Sequence, residues 1–484
     1  MLFKVKNTLF VFLIFLFISC KTNFKKEVLK KPNIIIINVD DLGWKDLGFM
    51  GSSYYETPNI DTLAKEGLVF NNAYSGAANC APSRACLISG LNTPRHGIFT
   101  VSPSDRGNKK TRKLIPIKNT KHLNDNIYTL PEMLKSAGYI TANFGKWHVG
   151  NNPLKQGIDV NVGGSSRGNP GKGGYFSPYK IDNIENKLDG EYLTDRLTNE
   201  TVSFIEKFKD TTFFVYLPYY TVHTPIMGKE NLMEKFKNKK GIDGQNRPDY
   251  AAMVASLDEN IGKLLASIKA NNLEKNTLVI FTSDNGGIRA ISEQNPLRAG
   301  KGSYYEGGIR VPLIMKWPNN IIPNTTTNQN VSNLDFYPTL QNITHPKKRA
   351  TLLDGLDLGK ILLQEKQTID RDIFFHFPIY LQAYKKGKDQ SRDPLFRTRP
   401  GSVIISGDWK LHHYFEDDAI ELYNLQNDLS EKNNITNLHP QKVNELLQKL
   451  KDWRIETNAP IPTEKNPYYS VEFEENKILN INKK

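Results

Sequence analysis

The sequence predicts an α/β protein: a large mixed, mostly parallel sheet sandwiched by helices, followed by a smaller C-terminal α+β domain of antiparallel strands and one helix. Three observations carry this expectation. From Asn33 onward, short β-branched runs alternate with helical stretches, the pattern of a parallel sheet covered by helices. The runs are apolar throughout, without alternation, as strands buried on both faces are. After about Leu363 the strand candidates become closely spaced, as antiparallel pairing requires. At 484 residues the chain also exceeds what one hydrophobic core usually supports. The expected division is 32–365 for the larger domain and 366–484 for the smaller domain with its tail.

The elements follow in order. Residues 9–18 form the one long apolar run, too short to span a bilayer, and a mean hydropathy of −0.49 fits an ordinary globular remainder. Lys4 and Lys6 precede that run and Ser19-Cys20 follow it. This reads as a lipoprotein-type signal peptide, 1–19, with Cys20 as the lipidated first mature residue and 20–31 as a tether. Ordinary signal-peptidase cleavage is the other reading. Both imply an exported protein, periplasmic or membrane-anchored, and the Lys21-Thr22-Asn23 start leaves the membrane face open.

Four predicted strands then end in chemistry. NIIIINV, 33–39, leads into Asp40-Asp41; 139–144 into Gly145-Lys146-Trp147-His148; 213–217 into a short segment ending His223-Thr224-Pro225; and 278–282 into Asp284-Asn285-Gly286. In open α/β sheets ligands bind beyond the carboxyl ends of the strands, so these four ends are expected to share one crevice. Helices are predicted over 59–67, 130–137 and 250–271, the second capped by Thr129 with Pro131 and Glu132 in its first turn. GGSSRGNPGKGG, 163–174, is a loop and not a phosphate cradle, since no GKS or GKT closes it. With no strand immediately before it, it reads as a pocket wall or a plain surface loop. The smaller domain should hold strands over 373–377, 402–405, 410–414 and 421–423 and a helix over 440–453, with a polar tail beyond Pro460 draped on the surface.

Composition narrows the partners. The formal charge of +13 points to an anionic partner. The densest basic stretch, 109–121, carries Lys109, Lys110, Arg112, Lys113, Lys118 and Lys121, without interleaved aromatics or a nucleic-acid module. It reads as a solvated loop or an electrostatic funnel, and no nucleic acid is expected as partner. Cys80 and Cys86 are six apart on a predicted helix and cannot face each other, so no disulfide is expected. Asp40, Asp41, Asp284 and Asn285 offer only oxygen ligands, a hard set suited to Ca²⁺ or Mg²⁺ and not to zinc. Each pair taken alone also reads as a turn or a helix cap. Pro82 suits the first turn of a helix, which would place Cys80 just ahead of a helix N-terminus, where an anion is favoured.

The run CAPSRACLISG, Cys80 to Gly90, resembles the CxPSRxxLxxG element of the type I sulfatases, of the alkaline phosphatase superfamily. GKWHVG, beginning at Gly145, resembles that family's GKWHxG. His223 precedes Thr224-Pro225 as the sulfatase histidine does. LRAGKGSYYEGGIRVP, 297–312, resembles KGxxxEGGxRVP, and GDWKL at 407–411 with the segment 422–428 resembles the family's ending. The resemblance implies an alkaline phosphatase-like fold and a cysteine oxidised to formylglycine (3-oxoalanine) at Cys80 by a formylglycine-generating enzyme. It also implies Ca²⁺, with Mg²⁺ second, held by Asp40, Asp41, Asp284 and Asn285 together with residue 80. In that scheme the hydrated aldehyde attacks sulfur and a sulfo-enzyme forms, with Arg84 steadying the formylglycine and Lys146 contacting the sulfate. His148 is then the base that frees sulfate, while His223 and Lys301 grip the sulfate and assist the leaving oxygen. Glu306, Gly307, Gly308 and Arg310 are expected to shape their segment.

The export signal, the positive charge and long loops at 101–126, 163–179, 287–298 and 380–399 favour a sulfated oligo- or polysaccharide, algal or glycosaminoglycan, as substrate. The last loop offers Gln382, Lys385, Lys386, Lys388, Arg392, Arg397 and Arg399 to uronates or further sulfates. Two other readings remain: a formylglycine-dependent phosphodiesterase or phosphonate monoester hydrolase, and a non-catalytic glycan-binding lipoprotein.

Overall fold

The computed structural model describes residues 31–384 and 388–483. The predicted leader, Cys20 and nearly all of the tether lie outside the described residues, as do Lys385 and Lys386. Among the described residues no helix is long and apolar enough to cross a membrane.

Eight strands make the main sheet: β1 (Asn33–Val39), β2 (Leu68–Phe70), β3 (Ile140–Phe144), β4 (Val160–Val162), β5 (Phe213–Leu217), β6 (Thr277–Ser283), β7 (Leu313–Lys316) and β8 (Thr325–Thr327). Their order is β4-β3-β5-β1-β6-β7-β2-β8. All pairs are parallel except those of β7, which runs antiparallel to both β6 and β2. The four strands singled out for their carboxyl ends, β3, β5, β1 and β6, are consecutive neighbours, so their ends open on one edge.

Continuous apolarity has a direct cause here. Ile35, Ile37 and Val39 of β1 pack into one core while Ile34 and Ile36 pack into another on the opposite face. The first core lies under helices α1 (Pro58–Lys65), α4 (Leu193–Lys207) and α5 (Pro248–Ala270), the second under α2 (Cys80–Ser89), α3 (Leu130–Ser136) and α6 (Phe336–Thr344). The cap predicted at Thr129 is present as a reciprocal box: its hydroxyl accepts from Glu132 N–H while the Glu132 carboxylate accepts from Thr129 N–H at 2.8 Å.

The C-terminal sheet joins β9 (Asp372–Phe377), β10 (Gly401–Ser406), β11 (Trp409–Tyr414) and β12 (Ile420–Asn424) in sequence order, all antiparallel. Helix α7 (Pro440–Glu456) covers it through Val443, Leu446, Leu450 and Trp453.

The tail departs from expectation. It ends in a further helix, α8 (Val471–Asn482), whose Ile478 and Ile481 pack on Tyr380, Leu395 and Phe396. It also covers the basic stretch. Lys109, Lys110 and Lys113 lie over the rings of Tyr468, Phe473 and Tyr469 at 3.8, 5.2 and 5.9 Å, so these cations, two of them still exposed, also hold the tail.

Candidate active site

Helix α2 starts at Cys80 itself, two residues ahead of the start that Pro82 suggested. Every residue of this helix is buried, and Asn333 fixes its first turn by donating to the Ser83 hydroxyl at 2.9 Å. Cys80 Sγ therefore points into the crevice, 3.8 Å from Asp41 Oδ1. Cys86 is equally buried and unbridged, its sulfur 3.5 Å from His96 Nε2.

The strand ends deliver the rest. From β1, Asp40 Oδ2 accepts from Lys146 Nζ at 2.7 Å, and Asp41 pairs with Lys301 Nζ at 2.6 Å. From β6, Asp284 Oδ2 accepts from Arg84 Nε at 2.8 Å, and Asn285 Nδ2 donates to Asp41 Oδ1 at 2.9 Å. Arg84 also donates to Lys146 O. From the segment after β5, His223 Nε2 stands 3.7 Å from Asp41 Oδ2. Asp41 and His148 both hold positive φ, 60° and 65°, a conformation that Asp and His adopt more readily than most non-glycine residues. Gly145 is required for close approach: a Cβ there would sit 2.1 Å from Pro218 O. Lys146 N–H donates to that same carbonyl at 2.7 Å, locking the end of β3 to the end of β5.

Electrostatics sort these groups. Burial pushes the Asp40 carboxyl up despite Lys146. Burial also acts on Asp41, but Lys301 and His223 outweigh it and hold that carboxyl well down. Burial pushes the Cys80 thiol up to about 12 although Lys146 and Lys301 oppose this, so an unmodified Cys80 is a neutral thiol at pH 7. Burial, then Lys146 and Arg84, depress His148 well below its ordinary value. His223 falls to about 3 through burial and Lys301, against the pull of Asp41.

The donor set fits a hard cation. Asp40 Oδ1 and Asn285 Oδ1 are buried with no hydrogen-bond partner, and such atoms call for an ion or water. Ligand atoms of Asp40, Asp41, Cys80 and His223 lie within 4.8 Å of one another. Asp284 adjoins them, its Oδ1 3.2 Å from Asp41 N; His223 is the member the sequence did not include. Carboxylate and amide oxygens of this kind suit Ca²⁺ or Mg²⁺.

The loops give a mixed result. The stretch 163–174 is a wall of the site: Gly168 faces the His148 ring so closely that a Cβ would lie 2.6 Å from Cε1. Just beyond it, Tyr175, which sequence reasoning passed over, donates its hydroxyl toward Tyr220 O and His223 O at 2.6 and 2.7 Å. The signal was the aromatic following the glycines. Two cations offered to substrate are engaged elsewhere. Arg399 closes on Asp393, Glu416 and Glu474, and Arg392 on Asp417. Arg397 remains near the site, donating to Lys301 O at 2.9 Å. Glu306 takes the shaping role expected of it, buried between Lys410 and Arg310.

Comparison with known proteins follows this geometry. The family model described as Sulfatase matches residues 32–345, and that of the N-sulphoglucosamine sulphohydrolase C-terminal region matches 300–458. A sulfatase of Formosa agariphila is 35% identical over 516 residues, covering 90% of this chain and 91% of its own. The N-acetylgalactosamine-6-sulfatase of Homo sapiens is 32% identical, over 74% of this chain and 71% of its own. Among solved structures, Ps i-CgsB in complex with k-i-k-neocarrahexaose aligns with a TM-score of 0.72 at 30% identity, covering 93% of this chain and 98% of its own. Both sheets and the crevice fall inside the matched residues, and the chain belongs to the sulfatase family of the alkaline phosphatase superfamily.

Proposed function

We propose that this sulfatase removes O-sulfate from a sulfated oligo- or polysaccharide, algal or glycosaminoglycan in type, using formylglycine at position 80. One observation carries the reading: two buried lysines, an arginine and two histidines converge on Cys80 and a paired-aspartate site. The relatives with carbohydrate names support the substrate class. The neutral, buried thiol supports the modification, since an unmodified Cys80 is a poor nucleophile.

Formylglycine, once hydrated, supplies hydroxyl groups where the sulfur now sits. Ca²⁺ held by Asp40, Asp41, Asp284 and Asn285 would supply positive charge to a sulfate oxygen and to the attacking hydroxyl. Lys146 and Lys301 hold the remaining sulfate oxygens, and the fixed positive charges favour the added negative charge of the transition state. His223 serves the leaving oxygen. Its Nδ1–H donates to Thr224 O at 2.7 Å, which aims Nε2 into the crevice, and an incoming sulfate ester favours the protonated ring that can donate. His148 is neutral and its Nδ1 has no hydrogen-bond partner. It accepts the proton whose removal releases sulfate and restores the aldehyde. Arg84 keeps Asp284 and the Lys146 backbone in register. We further propose export, with Cys20 as the lipid anchor.

The test is the mass of the tryptic peptide 66–84 from a host able to form formylglycine, together with sulfate release from a panel of sulfated glycans. An intact thiol at Cys80 sinks the mechanism. Cleavage of a small aryl sulfate with no release from any glycan sinks the substrate class, and a clear preference for matched phosphate esters favours the phosphodiester or phosphonate reading.

A further inference from the structure

Beside the lysines that face Cys80 stand two guanidinium groups with no carboxylate partner. Arg397, on the short strand Phe396–Thr398, donates from Nη1 to Lys301 O at 2.9 Å and from Nε to Gln382 O at 3.0 Å. The Tyr384 ring lies flat against it, 3.4 Å from ring centroid to guanidinium carbon. That leaves further N–H donors of a planar fork, held rigid from one face and fixed to the backbone of Lys301. Arg106 donates to Val101 O at 2.8 Å. Its loop is tied to the Arg397 hairpin by Tyr380 N–H donating to Ser104 O at 2.9 Å, and by Gly107, which packs on the Phe396 ring.

Neither arginine has a carboxylate within 4.0 Å among the described residues, whereas the neighbouring Arg289, Arg392 and Arg399 all do. The two also feel each other. Arg106 is half-buried and its pKa is lowered by burial and then by Arg397, while Tyr384 and Cys80 act the other way. Two like charges in mutual range, partly desolvated and without a counter-ion, are a costly arrangement that an oxyanion would relieve.

We infer that Arg106 and Arg397, with Tyr384 as the stacking floor, form a second anion subsite next to the scissile sulfate. It takes a further sulfate or a carboxylate carried by the same sugar or its neighbour. This rests on the carbohydrate reading above and sharpens it: the preferred substrate is polyanionic, and the Lys301 backbone links recognition of the second anion to the lysine that grips the first.

The test uses the full-length modified enzyme and three matched oligosaccharides: one monosulfated, one with an added sulfate, and one with an added uronate. The wild type should show a higher kcat/KM for at least one dianionic substrate, and the better of the two identifies the anion. In Arg106→Gln that preference should fall about 10- to 100-fold, the scale of one charge-assisted hydrogen bond. Arg397→Lys, which keeps charge but loses the fork, should lose a smaller part, and raised salt should erode the wild-type preference. Unfolding curves for each variant identify any that misfold. If the sugars are cleaved with the same ratios in wild type and in a folded Arg106→Gln, the subsite is wrong and the carbohydrate reading stands. If no sugar is cleaved while an aryl sulfate is, the carbohydrate reading falls and the subsite assignment falls with it.

Discussion

Cys80 and Cys86 share one helix and one level of burial, and what distinguishes them is what surrounds each. The Cys80 side chain has a single hydrogen-bond contact among the described residues, the 3.8 Å approach to Asp41. Cys80→Ala should therefore lower sulfate release on the order of 10⁴-fold or more, as loss of a nucleophile does, with little change in melting temperature; turnover surviving in the variant would remove residue 80 from the chemistry. Cys86 instead borders His96, a buried imidazole that accepts from Ile98 N–H at Nδ1, 3.1 Å away. That bond requires the neutral ring, and burial lowers its pKa to about 3. The folded pKa lies below the unfolded value near 6.5. Its contribution is therefore complete above pH 6.5 and is lost as pH falls toward 3, at about 1.4 kcal/mol per pH unit. Denaturation curves at pH 7 and 5 should show wild type losing more stability than His96→Asn; equal losses would mean that the ring does not stay neutral. The residues of the site were legible because six short motifs carried them. Arg106 was not, since an arginine in a loop has no distinguishing neighbour in sequence, only in space.

Among the elements, strands β1, β3, β5 and β6 were readable to within a residue or so. Each is buried on both faces, and burial on both faces writes itself as largely unbroken apolarity, with Thr141 and Asn143 of β3 as buried exceptions. Helix α3 announced itself through Thr129 and Glu132, a pairing local enough to be seen in sequence. Helix α8 was hidden for the opposite reason. Its apolar contact is small, and its strongest hold is Glu474, whose carboxylate accepts from Arg399 at 2.6 Å, a partner 75 residues earlier in the chain. The same arginine is held by Asp393 and Glu416, so the tail and the 380–399 loop meet on one buried cation. Glu474→Ala should cost about 1–3 kcal/mol, as a lost charged hydrogen bond does, measured by urea denaturation. A wild-type midpoint would mean that α8 is held by Ile478 and Ile481 alone.

Across the whole molecule, the antiparallel sheet reaches back to the Lys301 segment through a buried lysine, beside the bond from the Tyr305 hydroxyl to Glu421 at 2.6 Å. Lys410, on β11, is fully buried with its ammonium 2.9 Å from Glu306 Oε1 and 2.8 Å from Glu431 Oε1. Glu306 opens the turn Glu306–Ile309, five residues past Lys301. Burial opposes its charge, but Lys410 and Arg310 outweigh burial and keep the carboxyl low, while burial raises Glu431. Glu431 also accepts from Glu306 N–H at 2.6 Å, so both ends of the turn's first residue are fixed from the C-terminal side. The sequence showed both pieces, GDWKL and the EGG turn, but not that one closes on the other, because a contact 104 residues apart leaves no local trace. Lys410→Met should leave Glu306 with Arg310 alone and Glu431 buried with only the His412 ring beside it. Breaking a buried pair in this way costs about 3–5 kcal/mol, and the Lys301 segment should loosen with it. The expected outcome is a lowered urea midpoint together with a raised KM for the sulfated substrate. A variant as stable as wild type, with unchanged KM, would show that the lysine does not couple the two sheets.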